Sequence, residues 1–213
     1  MTLELVGTVL VLNFVGIITP GPDMFLILRL AAKSRPHALS AIAGIVLGVS
    51  FWVTLTIAGA AVILARYPEL LGLIQLFGGL WILYMSYGLL KSARAQWGLK
   101  PADIDVNVLL GSRWSNFRHG LATNVSNPKI VLYFAAIMAP LLPAAAPLWT
   151  NLALGFVIVA QAFVVFASLA IFISTGPVRR RLLAAGPWID VAAGLFFLVA
   201  GCVLLFHGIK GIY

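Results

Sequence analysis

Two short stretches hold the residues best able to do chemistry: Thr19-Pro20-Gly21-Pro22-Asp23 and Asn124-Val125-Ser126-Asn127-Pro128-Lys129. Each sets an ionisable side chain directly after a proline. Superposing Pro22 on Pro128 brings Asp23 opposite Lys129, an acid and a base at one matched position. Such a pair suits a zwitterion. The carboxylate can hold a substrate ammonium, and the lysine can hold a substrate carboxylate. The acid can also take and release a proton.

The prolines explain how these side chains are presented. Proline lacks an N–H and clashes with the carbonyl four residues back. Pro20 and Pro22 are expected to strand the carbonyls of Gly16 and Ile18, and Pro128 that of Asn124. Residues before proline also avoid the helical region. Helices should therefore open at both places and restart at once. Gly21-Pro22 and Asn127-Pro128 each read as an N-cap followed by proline at the first helical position. Asp23 and Lys129 then fall in the first turn of a new half-helix. The helix dipole suits Asp23 and opposes Lys129, so the lysine should meet an anion, either Asp23 or a substrate carboxylate.

Around these breaks the chain is strongly apolar. Of 213 residues, 62% are hydrophobic and 9% charged. A soluble domain carries about 25% charged residues, so too little polar surface exists to face water. Six apolar runs stand out: Leu3–Leu28, Ala38–Ala65, Leu70–Leu90, Phe117–Leu142, Leu148–Ile173 and Pro187–Phe206. A membrane crossing takes about 20 apolar residues. The expected fold is an all-α membrane protein of about six transmembrane helices in a single domain, 1–213. Helices one and four are the broken ones. Ordinary interfacial helix ends are the alternative reading of the prolines. Pro128–Leu142 is too short to cross alone, however, so Phe117–Ser126 must help.

A charge at membrane depth costs roughly 2.5–3.5 kcal/mol on insertion scales. Asp23 and Lys129 should therefore be paired or hydrated. Open backbone at that depth persists only where it is buried in protein or lines a cavity.

Loop charge gives the orientation. Arg29, Lys33, Arg35, Lys91, Arg94, Lys100, Arg113, Arg118 and Arg179–Arg181 fall on one side. Basic loops stay in the cytoplasm, so both termini are expected outside, in the inner membrane. The basic residues sit between apolar runs without an aromatic-interleaved face, which argues against nucleic acid as a partner. Trp149, Trp188, Tyr67 and Tyr213 fall at run ends as interfacial anchors. The one sizeable connection, about 92–116, reads as a cytoplasmic linker with Pro101, Asp103 and Asp105 and an interfacial helix near Trp114. The N-terminus lacks the pattern of a removable signal peptide.

The halves, about 1–91 and 117–213, look duplicated. Laying Ile74–Leu90 on Ile189–Leu205 gives identities at Gly79/Gly194, Leu83/Leu198 and Leu90/Leu205, among others. Three helices per half would invert one repeat relative to the other. Weaker cavity candidates are Asn13, Gln75, Gln161 and Asp190. Helix-to-helix hydrogen bonding competes as a role for Asn13, packing for Gln161, and dipole stabilisation for Asp190. Trp81, Tyr84 and Tyr87 read as membrane packing. Gly44 and Gly48 form a GxxxG for close helix contact, and glycine-rich faces would permit a homodimer. His37 and His119 lack metal-ligand spacing. The lone Cys202 rules out thiol–disulfide carriers, which need a pair. No metal site and no cofactor are expected.

Enzymes fit poorly. A membrane aspartyl protease needs Gly-x-Gly-Asp, and Gly21-Pro22-Asp23 lacks the first glycine. No Gly-x-Ser-x-Gly or His-Glu-x-x-His is present. An exporter of metal cations or other small metabolites, and a non-transporting membrane assembly protein, are the alternatives to an amino-acid exporter.

With Gly21-Pro22-Asp23 near the start and Asn127-Pro128-Lys129 near the middle, the chain resembles the LysE/RhtB family of amino-acid exporters over essentially its whole length. The resemblance implies efflux of amino acids or derivatives from the cytoplasm, driven by proton influx. It carries over Pro20, Gly21, Pro22 and Asp23, then Asn124, Asn127, Pro128 and Lys129. Many relatives continue after run four into Phe-Leu-Pro-Gln. This chain reads Met138-Ala139-Pro140-Leu141-Leu142-Pro143, so the resemblance supplies a substrate class rather than a substrate.

Overall fold

Proline and polar residues cut the apolar chain into helices. The computed structural model describes residues 3–19, 21–59, 67–97, 110–138, 141 and 147–210. Pro20, the linker acids Asp103 and Asp105 and the anchor Tyr213 lie outside the described residues. In order come α1 (Leu3–Ile18), α2 (Pro22–Lys33), α3 (Arg35–Ile57), α4 (Pro68–Gln96), α5 (Arg113–Val125), α6 (Pro128–Tyr133) with a π turn (Phe134–Met138), α7 (Leu148–Ile173), α8 (Gly176–Ala184) and α9 (Gly186–Lys210). No strand occurs among the described residues.

Helices α3, α7 and α9, and α4 from Gly72 onward, are each long and apolar enough to cross a membrane. Helices α1 and α2 meet at 64° and are long and apolar enough only as a pair, the geometry of a broken span or of a re-entrant loop. The fourth run is divided more deeply. Its 13-residue α5 and 6-residue α6 are each too short to span. A helix does begin near Trp114, as the first turn of α5, where the Ser112 side chain accepts from Ser115 N–H at 3.1 Å.

Helix α2 runs past the apolar run to Lys33, and α4 runs to Gln96. These extensions carry polar side chains inward. Arg29 Nε donates to Asp190 Oδ1 at 2.9 Å, and Lys33 Nζ to Asp190 Oδ2 at 2.7 Å. Ser92 and Gln96 of α4 also donate to Oδ2, at 2.9 and 2.7 Å. Arg29 and Lys33 thus leave the loop assigned to them from sequence and bind a fully buried carboxylate of α9.

Small residues set the helix spacing. Helices α4 and α9 form the most extensive pair, α3 and α5 the next. A methyl group on Gly44 would lie 2.0 Å from the Phe117 carbonyl oxygen, and one on Gly120 2.1 Å from that of Ala41. Gly44 therefore serves contact within the chain, between α3 and α5. This packing holds α5, and the break that follows it, against the middle of α3.

Candidate functional site

The two helix breaks meet. At the first, α1 ends at Ile18, Gly21 takes an extended conformation, and α2 restarts with Pro22 in its first turn. At the second, the Asn127 side chain accepts from Lys129 N–H at 3.1 Å, the N-cap expected of Asn-Pro. The Asn124 carbonyl that Pro128 was expected to strand accepts instead from Asn127 N–H at 3.1 Å.

Asp23 is the centre of the junction. Its Oδ2 accepts from Asn124 Nδ2 at 2.8 Å and from Asn127 Nδ2 at 3.5 Å. All three residues are buried. Lys129 reaches back across the first break, donating to the Thr19 carbonyl oxygen at 2.6 Å. Among the described residues it forms no ion pair with Asp23. It caps the Thr19 carbonyl, one residue past the end of α1.

A small cavity of about 30 Å³ lies at this junction, lined by Asp23, Asn124, Asn127, Lys129, Asn13 and Tyr133 among others. That is room for about one water. Asp23 Oδ1 and Asn124 Oδ1 are buried and have no hydrogen-bond partner. Both are acceptors, and an unsatisfied buried acceptor is costly. The site therefore calls for a donor, and a primary ammonium brings three N–H groups.

The opposite wall comes from α1, α6 and α7. Tyr133 OH donates to Asn13 Oδ1 at 3.2 Å, and Asn13 Nδ2 donates to Gln161 Oε1 at 2.8 Å and to the Ile158 carbonyl at 3.2 Å. Gln161 Nε2 returns to the Leu10 carbonyl at 3.0 Å. Tyr133 lies over Gly16, where a methyl group would come 2.9 Å from its ring. Asn13 thus lines the cavity and also joins helices, while Gln161 acts behind it. Gln75 and Asp190 lie away from this cavity. Asp190, a cavity candidate from sequence, is instead the acceptor of the Arg29–Lys33 cluster, because those two cations need a buried counter-charge. Tyr133 was not foreseen. Its only signal is a position four residues after Lys129 on one helix face.

The sequence profile of the family described as LysE type translocator matches residues 14–208. The chain belongs to the LysE type translocator family. Both helix breaks fall inside that span, as does the cavity wall apart from Asn13. The chain is 32% identical over 204 residues to an uncharacterized membrane protein of Haemophilus influenzae, covering 95% of this chain and 97% of that one. It is 29% identical to the threonine efflux protein of Salmonella typhi, covering 95% and 98%. It is 28% identical to the threonine efflux protein of Escherichia coli K12, covering 93% and 96%. No solved structure matches this LysE-type translocator.

Packing against the site yields a direct prediction. A methyl group on Gly48 of α3 would lie 2.6 Å from Asn124 Oδ1 and 2.9 Å from its Cβ. Overpacking of this kind costs about 1–3 kcal/mol, and here it pushes on the amide that binds Asp23. Gly48→Ala is expected to lower transport about tenfold, by moving Asn124 off Asp23. Gly7→Ala, which meets nothing within 4 Å, is the control. Transport by the two variants at matched membrane levels checks this.

Proposed function

We propose that this protein exports amino acids or close derivatives from the cytoplasm across the inner membrane, in exchange for protons. The observation that carries this reading is the pair of orphaned acceptors, Asp23 Oδ1 and Asn124 Oδ1, beside the junction of the two broken helices. Asp23 and Asn124 hold the substrate ammonium. Lys129, which in this closed arrangement caps the Thr19 carbonyl, swings to the substrate carboxylate. A proton arriving at Asp23 from outside weakens the ammonium contact and releases the substrate. With room for about one water, the cavity must open before an amino acid enters. The 28–29% identity to threonine efflux proteins favours a small, neutral amino acid.

Alternating access by inverted halves fits this scheme. The α4–α9 contacts are reciprocal in support of it. A methyl group on Gly79 would lie 3.0 Å from Leu205 Cγ, and one on Gly194 2.8 Å from Leu90 Cδ2. The register that sets Ile74 on Ile189 also sets Gly79 on Gly194 and Leu90 on Leu205. Each contact is therefore the other's image. The basic residues on one side of the apolar runs support a cytoplasmic face there, with both termini outside.

The test loads expressing and non-expressing cells with dipeptides and follows by mass spectrometry the amino acids that appear in the medium. Faster release of a subset that includes threonine is expected from expressing cells. Identical release of every amino acid, with the protein confirmed in the membrane, overturns the reading.

A further inference from the structure

A second cavity, of about 310 Å³, lies between α2, α4 and α5. It differs from the Asp23 cavity in size and in charge. Among the described residues, Arg29, Lys91 and His119 line it, with Asn116 and the phenols of Tyr84 and Tyr87, and no acid does. The Asn116 amide is already committed to the Leu110 and Ser112 carbonyls, at 2.8 and 2.9 Å. The free polar capacity of the wall is therefore mainly cationic and phenolic.

The arginine is held in advance. Its Nε donates to Asp190 Oδ1 at 2.9 Å and its Nη2 to Ser92 Oγ at 3.3 Å. These contacts fix the plane of the guanidinium where it borders the cavity. A fixed guanidinium favours a planar oxyanion, since little order is lost on binding. Lys91 is exposed at the rim. A volume of this size accommodates a small organic molecule, unlike the space beside Asp23.

Position gives the cavity its meaning. Leu26 lines it, one turn along α2 from Asp23. Met85 lines it too, and Met85 Sδ accepts from Thr123 Oγ1 at 3.0 Å. Thr123 precedes Asn124, the partner of Asp23. Leu26, Met85 and Thr123 therefore stand between the two cavities. The larger one opens on the side of the basic connections.

We propose that this cavity is a vestibule that binds the carboxylate of the substrate before it reaches Asp23. Arg29 takes the carboxylate, Lys91 draws it in from the rim, and His119 completes the wall. Carboxylate recognition thus comes before ammonium recognition. The proposal rests on the export reading above.

Inverted membrane vesicles expose the cytoplasmic face. They are preloaded with unlabelled L-threonine and given increasing labelled L-threonine outside, so that exchange requires no proton gradient. Arg29→Lys and the double variant Lys91→Gln/His119→Gln are compared with wild type. The double variant is expected to raise the half-saturating threonine concentration about tenfold, with the effect on half-saturation rather than on maximal rate. L-Threoninamide, which lacks the carboxylate, should compete poorly in wild type, and its disadvantage against threonine should narrow in the double variant without vanishing, since Arg29 and Lys129 still favour a carboxylate. Exchange by wild type with an unchanged half-saturation in both variants overturns the vestibule and leaves the export reading standing. A lower maximal rate with an unchanged threonine-to-threoninamide ratio means that these residues act on the exchange step and not on the carboxylate, and also overturns it. If wild type exchanges no threonine while its membrane level is confirmed, the export reading for that substrate fails and the vestibule fails with it.

Discussion

Asp23→Asn is expected to abolish export while leaving the protein folded, and at least as stable as wild type. The geometry separates the two effects. Oδ2 of Asp23 accepts from Asn124 and Asn127, whereas Oδ1 has no partner. An asparagine here can keep an oxygen toward those two amides and turn its own N–H₂ toward the orphaned Asn124 Oδ1. It also removes a charge whose burial at membrane depth costs roughly 2.5–3.5 kcal/mol on insertion scales. Stability should hold or rise. Export needs what the variant lacks, a negative acceptor for the ammonium and a group that can carry a proton. One charge-assisted hydrogen bond is worth about 1.5–3 kcal/mol. Losing it, together with the proton site, should lower export by about 100-fold or more. Amino-acid release from cells and the melting temperature of the purified variant give the two readouts. An Asp23→Asn protein that exports at the wild-type rate would falsify the role assigned to Asp23.

Much of this site was legible in sequence because proline chemistry is local. Pro22 and Pro128 fix where helices restart, and Asn127 caps as an Asn before Pro should. Matching the two breaks placed Asp23 and Lys129 at one position, and the folded chain brings both to one cavity. The lysine's partner was not legible. A helix dipole argument calls for an anion, but the nearer acceptor is the Thr19 carbonyl, exposed by the opposite break. No pattern along the chain encodes that contact across 110 residues.

The Asp190 cluster was hidden for a different reason. Arg29 and Lys33 stand at the end of an apolar run, where hydropathy reads them as loop. Their spacing of four places them on one helix face, and that is the signal which could have paired them with a buried acid. The helix continues through them because Asp190, Ser92 and Gln96 supply the polar partners that water would give a loop. Gln75 shows the converse. It matches Asp190 in the repeat register yet takes no part in that cluster, since repeat position alone does not supply a partner.

Asp190→Ala carries the other large expected effect, this time on stability. The carboxylate is fully buried and receives Arg29, Lys33, Ser92 and Gln96. Removing it leaves two cations without their shared counter-charge. Breaking a buried pair from one side costs about 3–5 kcal/mol. For a chain of this size that lowers the melting temperature by on the order of 10 °C. Adding Lys33→Met to Asp190→Ala should recover part of the loss, because one of the two cations that Asp190 balanced is then gone. Export should fall as well, through α2. That helix carries Asp23 in its first turn and Arg29 and Lys33 toward its end, so the cluster anchors to α4 and α9 the element that positions the acid. The prediction fails if purified Asp190→Ala melts within about 2 °C of wild type, or if Lys33→Met lowers the melting point of Asp190→Ala further.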